Sequence, residues 1–434
     1  MSKTLTIEGG KQLLGHMPSQ GAKNSALSLI PATLFSDKVS TLHNIPDIGD
    51  IRIAFDLIRH LGGEITELSP GSFRIDPRSI NSWVIGGEYS RSFRGALYFL
   101  PPLLHRFGRV SMHWPGGCDL GDRKFDFHLN GLRLLGASVE EKGDELALRA
   151  SRLKGAEIDL PSPSHMATSN LLGAASVAEG GTLITNASRN PEVVDRANFL
   201  RSMGVQIFGD GTSDLEVNQT GSLQGTTYTC MIDRVVFCTN LAIAALVGTD
   251  MTLDSGCLPL ISAEYNVLRR MGIGIEDLGN GKCRISKTRH MTATDIVTGP
   301  YPEFCTDIQP IFAVMMTQAE GISRIFETMF NRRFSFAQAL RTMGANIQVE
   351  TADFLCPSGN VGQVCTIKGG TLLRGSEVTA QDLRGAACLV VAGLAATGTT
   401  RITNIDTFLR GYEAVPAGLN NLGADMWIDA GGVA

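Results

Sequence analysis

Six times along the chain an apolar helical stretch ends in Leu-Gly or Met-Gly and gives way to a short alternating run. The pairs are Leu61-Gly62, Leu135-Gly136, Met203-Gly204, Met271-Gly272, Met343-Gly344 and Leu422-Gly423, with 74, 68, 68, 72 and 79 residues between successive glycines. Each glycine suits the position just past a helix C-terminus, where a residue without Cβ takes positive φ at little cost. The residues after each glycine read as strand, as in Ala345 to Val349. A second signal keeps step about 24 residues earlier: a turn feeding a strand at Gly108, Gly181, Gly248, Gly321 and Gly398, with a weaker form at Ser36. A small-residue helix precedes that turn, as in Ser169 to Val177 and Cys388 to Ala396. Chance recurrence of a common dipeptide does not keep two signals in register. A solenoid is disfavoured because its usual period is about 20–50 residues. The pattern predicts an α/β protein of six small units folded as two globular halves.

The residues able to carry chemistry fall at one phase of this repeat, the start of the first helix in each unit. They are Lys23-Asn24, Arg94, Ser164 to Thr168, Asp233-Arg234, Asp307 and Asp382 to Arg384. Helix N-termini expose unpaired N–H groups and attract anions, so several such ends gathered with cations predict a site for a multiply charged small molecule. Asp307, just ahead of an apolar helix, reads equally as an N-cap and as a general base aimed at a substrate hydroxyl. The loop Trp114-Pro115-Gly116-Gly117-Cys118-Asp119-Leu120-Gly121-Asp122-Arg123 surrounds one thiol with glycines. Arg123 nearby would lower that thiol's pKa and suit it to proton donation and alkylation. Cys230, Cys238, Cys257, Cys283, Cys356, Cys365 and Cys388 read instead as small core residues.

Composition narrows the class. A net charge of −5 argues against a general nucleic-acid binder. Nine scattered cysteines with no C-x-x-C pair argue against a disulfide framework or zinc site and for a reducing cytoplasm. The N-terminus has no signal-peptide core, and the uncharged run 385–400 is too short and too rich in glycine and threonine to span a bilayer. No phosphate-binding G-x-x-x-x-G-K-[ST], H-E-x-x-H or G-x-S-x-G motif occurs. Neither metal nor cofactor is expected. The residue set favours acid–base work on an anionic substrate.

The chain resembles the bacterial UDP-N-acetylglucosamine 1-carboxyvinyltransferases, the enolpyruvyl transferases that open peptidoglycan synthesis. Nearly its whole length carries the likeness, on Ser19 to Asn24, the Arg94 helix, Pro115 to Cys118, Asp126-Phe127-His128 and Pro191 to Asp195. It continues through Phe304 to Gln309, Asp382-Leu383-Arg384 and Arg410 to Glu413. The resemblance implies a two-domain inside-out α/β barrel of six βαβαββ repeats. One domain, roughly 23–233, would be inserted in a second made of 1–22 and 234–434, with the active site in the cleft between them. It also implies the reaction. Lys23, Asn24, Arg94, Arg123, Arg384 and Arg410 would bind phosphoenolpyruvate (PEP), and Cys118 would protonate its methylene carbon. Asp307 would help deprotonate the attacking sugar hydroxyl, with Lys23 and Arg410 also counted as catalytic. The uridine nucleotide or nucleotide sugar would meet Arg123, Lys124, Phe125, Asp126, Phe127, Ser162, Ser164, His165, Asp307 and Met329. The implied partners are these small molecules, with no nucleic acid and no membrane. Oligomeric state stays open.

Against the family pattern, Ser162 stands where a lysine faces the nucleotide diphosphate and Met166 where a glycine sits. Asn331 replaces a glutamate and Leu409 an aspartate, with Thr407 and Phe408 altering the same stretch. Losing the lysine removes a charge-assisted contact of about 1.5–3 kcal/mol. Three readings are open: transfer to the 3-hydroxyl of UDP-N-acetylglucosamine, the same chemistry on another acceptor such as UMP or a nucleoside of secondary metabolism, and an inactive nucleotide-sugar-binding regulatory paralogue. The resemblance makes Cys118 the target of fosfomycin, an epoxide that alkylates this loop thiol. Replacing Cys118 by Ala should abolish or severely slow turnover, and fosfomycin should inactivate the wild type in a timed activity assay. Near-normal turnover of the variant would show that the acid lies elsewhere.

Overall fold

The computed structural model describes residues 3–116, 125–219, 221–286, 290–357, 359–413 and 415–429. The described residues form six four-stranded sheets. Every sheet has the same order: the first strand runs parallel to the second, the second antiparallel to the fourth, and the fourth antiparallel to the third. Glu157–Asp159, Gly181–Thr185, Gln206–Phe208 and Leu215–Asn218 show this plan within one stretch of chain. Helix His165–Ala175 joins the first two strands and helix Pro191–Ser202 the second and third. This is a βαβαββ unit, and its parallel pair needs the helical crossover.

Three sheets draw a strand from a distant part of the sequence. Leu13–Met17 is the first strand of the sheet built on Gly248–Asp254, and Thr4–Glu8 is the last of the sheet built on Thr399–Thr403. Thr227–Thr229 pairs in parallel with Ser40–His43. The chain divides accordingly into two compact units, one holding the described residues within 3–20 and 232–429, the other those within 21–116 and 125–231. Each unit has its own apolar core.

The first helix of each repeat is the buried one. Arg234–Val247 is buried at every residue but Asn240, Gln309–Gln318 at all but Gln318, and Leu383–Ala395 at all but Ala395. These three helices pack on one another inside one unit. In the other unit, Lys23–Ala32, His165–Ala175 and the segment from Arg94 to Phe107 do the same. A helix apolar around its whole circumference must be enclosed, and here sheets and second helices enclose it. Second helices such as Gly49–His60, with exposed polar residues and basic residues in the last turn, face outward. The segment at Arg94 departs from expectation: Arg94–Phe99 is a 3-10 helix and the α-helix begins only at Leu100.

All six repeat glycines take the predicted left-handed backbone, with φ of +100°, +94°, +107°, +84°, +98° and +106° from Gly62 to Gly423. The strand predicted after Gly344 is longer than read, Asn346–Leu355, and pairs with Val361–Lys368. At Gly204 an added Cβ would meet nothing within 4 Å, so any cost of a side chain there is purely backbone strain. Gly204→Ala should therefore lower unfolding free energy by about 1–2 kcal/mol, read as a shift in urea midpoint at unchanged slope. An unchanged midpoint would remove the conformational argument.

Candidate active site

The expected site residues are carried by both units, and each set is described within its own unit. In the unit of residues 232–429, Asp307 ends the loop before helix Gln309–Gln318. Its carboxylate does not cap that helix: the N-cap is Ile308, with no side-chain bond. Instead Arg333 Nη2 donates to Asp307 Oδ1 at 2.5 Å, and Arg384 Nε and Nη2 donate to Oδ2 at 3.3 and 3.2 Å. Both guanidiniums are almost fully buried, at 2% and 4% side-chain exposure, while Asp307 keeps 28%. The capping reading is therefore overturned, because two buried cations make a stronger claim on the carboxylate than backbone N–H groups do.

The neighbouring groups hold this arrangement. Arg333 Nε donates to the carbonyl of Thr306, whose hydroxyl donates to Glu327 at 2.9 Å. Glu327 also accepts the N–H groups of Met329 and Phe330 at 2.9 and 3.1 Å, fixing the turn that carries Met329. Burial raises the Glu327 carboxyl, and the charge of Arg333 with these hydrogen bonds opposes the rise. Burial works against the charge of Arg384, yet Asp307, Tyr412 and Asp233 hold its pKa above the ordinary arginine value. Arg384 Nη1, though buried, has no acceptor in hydrogen-bonding geometry among the described residues. Arg410 is half-buried and follows the turn Asp406–Leu409; in sequence it lies between Phe408 and Tyr412, whose rings stack on each other 4.5 Å apart.

The expectation of open helix ends needs correction. Asp233 accepts from the N–H groups of Val235 and Val236, and Asp382 from those of Arg384 and Gly385. Ser164 Oγ accepts from Ala167 N–H. These N-termini are satisfied by their own short polar caps. Helix Lys23–Ala32 has no side-chain cap.

In the other unit, Lys23 Nζ pairs with the buried Asp50 at 2.8 Å, a partner the sequence reading missed. Asn24 is the next residue of the same helix. Cys118, Arg123 and Lys124 lie outside the described residues. On either side of that stretch the chain is anchored: Gly116 N–H donates to Ser90 O, and a Cβ on Gly116 would come 1.9 Å from Arg91 O. The rings of Trp114 and Phe125 lie 5.3 Å apart, and the Arg94 guanidinium sits 4.4 Å over Phe125. Asp126 is exposed and Phe127 half-buried at the start of helix Asp126–Leu134. Ser162, Ser164 and His165 are half-buried ahead of and at the start of helix His165–Ala175.

Several organising residues were absent from the sequence-derived set: Arg333, Glu327, Asp50 and Tyr412. None falls at the helix-start phase that singled out the others. The eight cysteines among the described residues are free. Burial pushes Cys283 and Cys305 up to about 11 and Cys365 up to about 12, which keeps them protonated near neutrality. Among the described residues no group of acidic, histidine and cysteine side chains has a metal-binding arrangement, and no helix is long and apolar enough to cross a membrane.

The architecture and this polar cluster define a class: two inside-out α/β units of the enolpyruvyl transferase fold. The fold matches the enolpyruvyl transferase NikO from Streptomyces tendae with a TM-score of 0.88 at 23% identity, covering 99% of each chain. It matches an EPSP synthase from Acinetobacter baumannii with a TM-score of 0.74 at 20% identity, over 99% of this chain and 100% of that one. Residues 7–419 match the family described as EPSP synthase (3-phosphoshikimate 1-carboxyvinyltransferase). UDP-N-acetylglucosamine 1-carboxyvinyltransferase 1 of Carboxydothermus hydrogenoformans is 39% identical over 97% of each chain. The corresponding enzyme 2 of Caldanaerobacter subterraneus subsp. tengcongensis is 36% identical, over 97% of this chain and 98% of that one. The chain belongs to this family and is an enolpyruvyl transferase.

His128, buried beside these elements, accepts from Asn170 Nδ2 at 3.2 Å. Burial first, and the Arg94 charge second, hold its pKa down to about 3. The folded protein keeps this ring neutral while the unfolded chain takes a proton near 6.5. The unfolded state then binds more protons, so stability falls as pH drops from about 6.5 toward 3. Denaturation across pH 4 to 7 should show this loss with a slope of up to about 1.4 kcal/mol per pH unit from this group. His128→Gln should flatten it, and identical slopes would refute the assignment.

Proposed function

We propose that the chain transfers the enolpyruvyl group of PEP to the 3-hydroxyl of UDP-N-acetylglucosamine and releases phosphate. The observation that carries this reading is the Asp307 carboxylate fixed between Arg384 and Arg333, with the buried Arg384 Nη1 lacking an acceptor in hydrogen-bonding geometry among the described residues. A carboxylate so oriented is suited to take a hydroxyl proton, and a buried guanidinium with a spare donor is suited to an anion. The relatives at 36% and 39% identity, both UDP-N-acetylglucosamine 1-carboxyvinyltransferases, support the same acceptor.

In this reading Lys23, Asn24, Arg94, Arg123, Arg384 and Arg410 hold the carboxylate and phosphate of PEP. Cys118 gives its proton to the methylene carbon, leaving positive charge on the carbon that bears phosphate. The sugar oxygen bonds to that carbon as its proton passes toward Asp307. Phosphate then leaves with its bonding pair and the new methyl group loses a proton, restoring the double bond as an enol ether. Phe125 to Phe127, Ser162, Ser164 and His165 line the nucleotide, and Met329 lies by the sugar. Lys23 enters the reaction already paired with Asp50, so its role is that of a fixed cation rather than a mobile one. The eight free cysteines among the described residues support a cytoplasmic location.

Ser162 favours a second acceptor. It brings a hydroxyl and no charge to a position that the resemblance assigns to a diphosphate-facing lysine, and UMP would need fewer phosphate contacts. Phosphate release from PEP, measured in parallel with UDP-N-acetylglucosamine, UMP and a nucleoside, decides between them. Release with the nucleotide sugar at ordinary enzymatic rates is expected, and Asp307→Asn should lower kcat about 10²- to 10⁴-fold. Release with UMP alone would overturn the acceptor, and full activity of Asp307→Asn would overturn the role of the base.

A further inference from the structure

A cavity of about 90 Å³ lies inside the unit of residues 232–429, under the turn that carries Arg410. Its walls include Ile243 of helix Arg234–Val247, Ala387 and Val390 of helix Leu383–Ala395, and Leu419, Phe408 and Tyr412 of the C-terminal segment. None of Asp307, Arg333, Arg384 or Arg410 lines it. Of the polar residues on this mainly apolar wall, Gln20, Thr239, Asn240 and Glu413, one is without a partner among the described residues. Asn240 is the single residue of helix Arg234–Val247 that is not buried, and its amide makes no hydrogen bond to a described residue. Thr239, also on the wall, is already engaged with Val235 O and the Tyr412 hydroxyl.

We propose that this cavity is a ligand site for a small apolar molecule no larger than one aromatic ring, bearing one hydrogen-bonding group for Asn240. Size and lining set that class. A dry cavity of roughly 150 Å³ walled by Leu, Ile and Phe takes benzene or xenon, and this smaller one has a mainly apolar wall, with Gln20, Thr239 and Glu413 on it beside Asn240. The amide offers two donors and an acceptor, which a hydroxyl on a ring can meet. Two wall rings give the site leverage. Phe408 and Tyr412 stack on each other on either side of Arg410 in sequence, and Tyr412 lies with its ring 6.0 Å from the Arg384 guanidinium. The backbone between them is tied down by Gln20, which donates to Gly411 O and accepts from Glu413 N–H. A ligand that shifts the ring pair therefore shifts both arginines. This consequence rests on reading Arg384 and Arg410 as PEP ligands; the site itself does not.

Binding measurements test the site, and kinetics tests its consequence. Xenon-pressurised crystals should show a heavy-atom peak within the ring of Ile243, Val390 and Leu419, and phenol should bind the wild type saturably by calorimetry. Ala387→Leu, which fills the cavity, should abolish both while unfolding near the wild-type temperature. If that variant does not fold, Val390→Phe takes its place, and the xenon result on the wild type stands by itself. No xenon peak, or phenol binding unchanged in a folded filled variant, would overturn the site. In kinetics, phenol should raise the KM for PEP several-fold in the wild type and leave Ala387→Leu unaffected. Binding with no change in KM would keep the site and overturn the coupling to the arginines.

Discussion

Two guanidiniums share one carboxylate. Arg333 and Arg384 are nearly inaccessible, and taking each from water without a partner would cost several kcal/mol. Asp307 is what makes their burial tolerable, and the rest of the polar chain follows from keeping it there. Thr306 supplies its carbonyl to Arg333 and its hydroxyl to Glu327. Glu327 in turn holds the Met329 turn, and Asp382 both caps the helix carrying Arg384 and accepts from Ser335. Removing one member leaves a buried charge or donor unsatisfied, so the cluster is rigid before any substrate arrives. Rigidity of that kind is what electrostatic catalysis requires, because donors already aimed need not reorganise during reaction.

The repeat shows how such a cluster can arise from ordinary parts. In one unit the three buried helices each begin next to an aspartate: Asp233, Asp307 and Asp382. Two of them satisfy the N–H groups of their own helix. The third turns to the arginines, and its helix begins with Gln309-Pro310, where proline removes one of the orphan donors a cap would serve. Repetition supplies the scaffold, and the member that departs from it holds the two buried arginines. The cavity beneath Arg410 is a second departure: the C-terminal segment replaces a regular second helix with two short turns, Asp406–Leu409 and Ala417–Asn420, and leaves a space beside them.

Much of the fold was legible because it rests on local backbone preference. The glycine at each helix end demands positive φ, and the small-residue helices and turn-strand junctions can be read residue by residue. The family signature also drew attention to the Asp307 and Arg384 stretches, which the structure brings into contact. The pairings inside those regions were not legible. Asp307 meets Arg333 across 26 residues and Arg384 across 77, and its neighbours along the chain speak equally for a cap. Lys23 looked like a ready cation until Asp50 appeared beside it. The helix ends at Ser164, Asp233 and Asp382 looked open to an anion, while their own side chains already bond the N–H groups there.

The sequence by itself determined the period, the α/β character, the six left-handed helix ends and the family. All of these depend on residue type and spacing over short stretches. Only the tertiary structure decided which sheets Thr4–Glu8 and Leu13–Met17 complete, which carboxylate neutralises which buried cation, and where Asn240 faces an apolar cavity. Those outcomes depend on surfaces brought together from distant parts of the chain. A charge in a low-dielectric interior takes the partner that packing puts beside it, whatever its neighbours in sequence would allow.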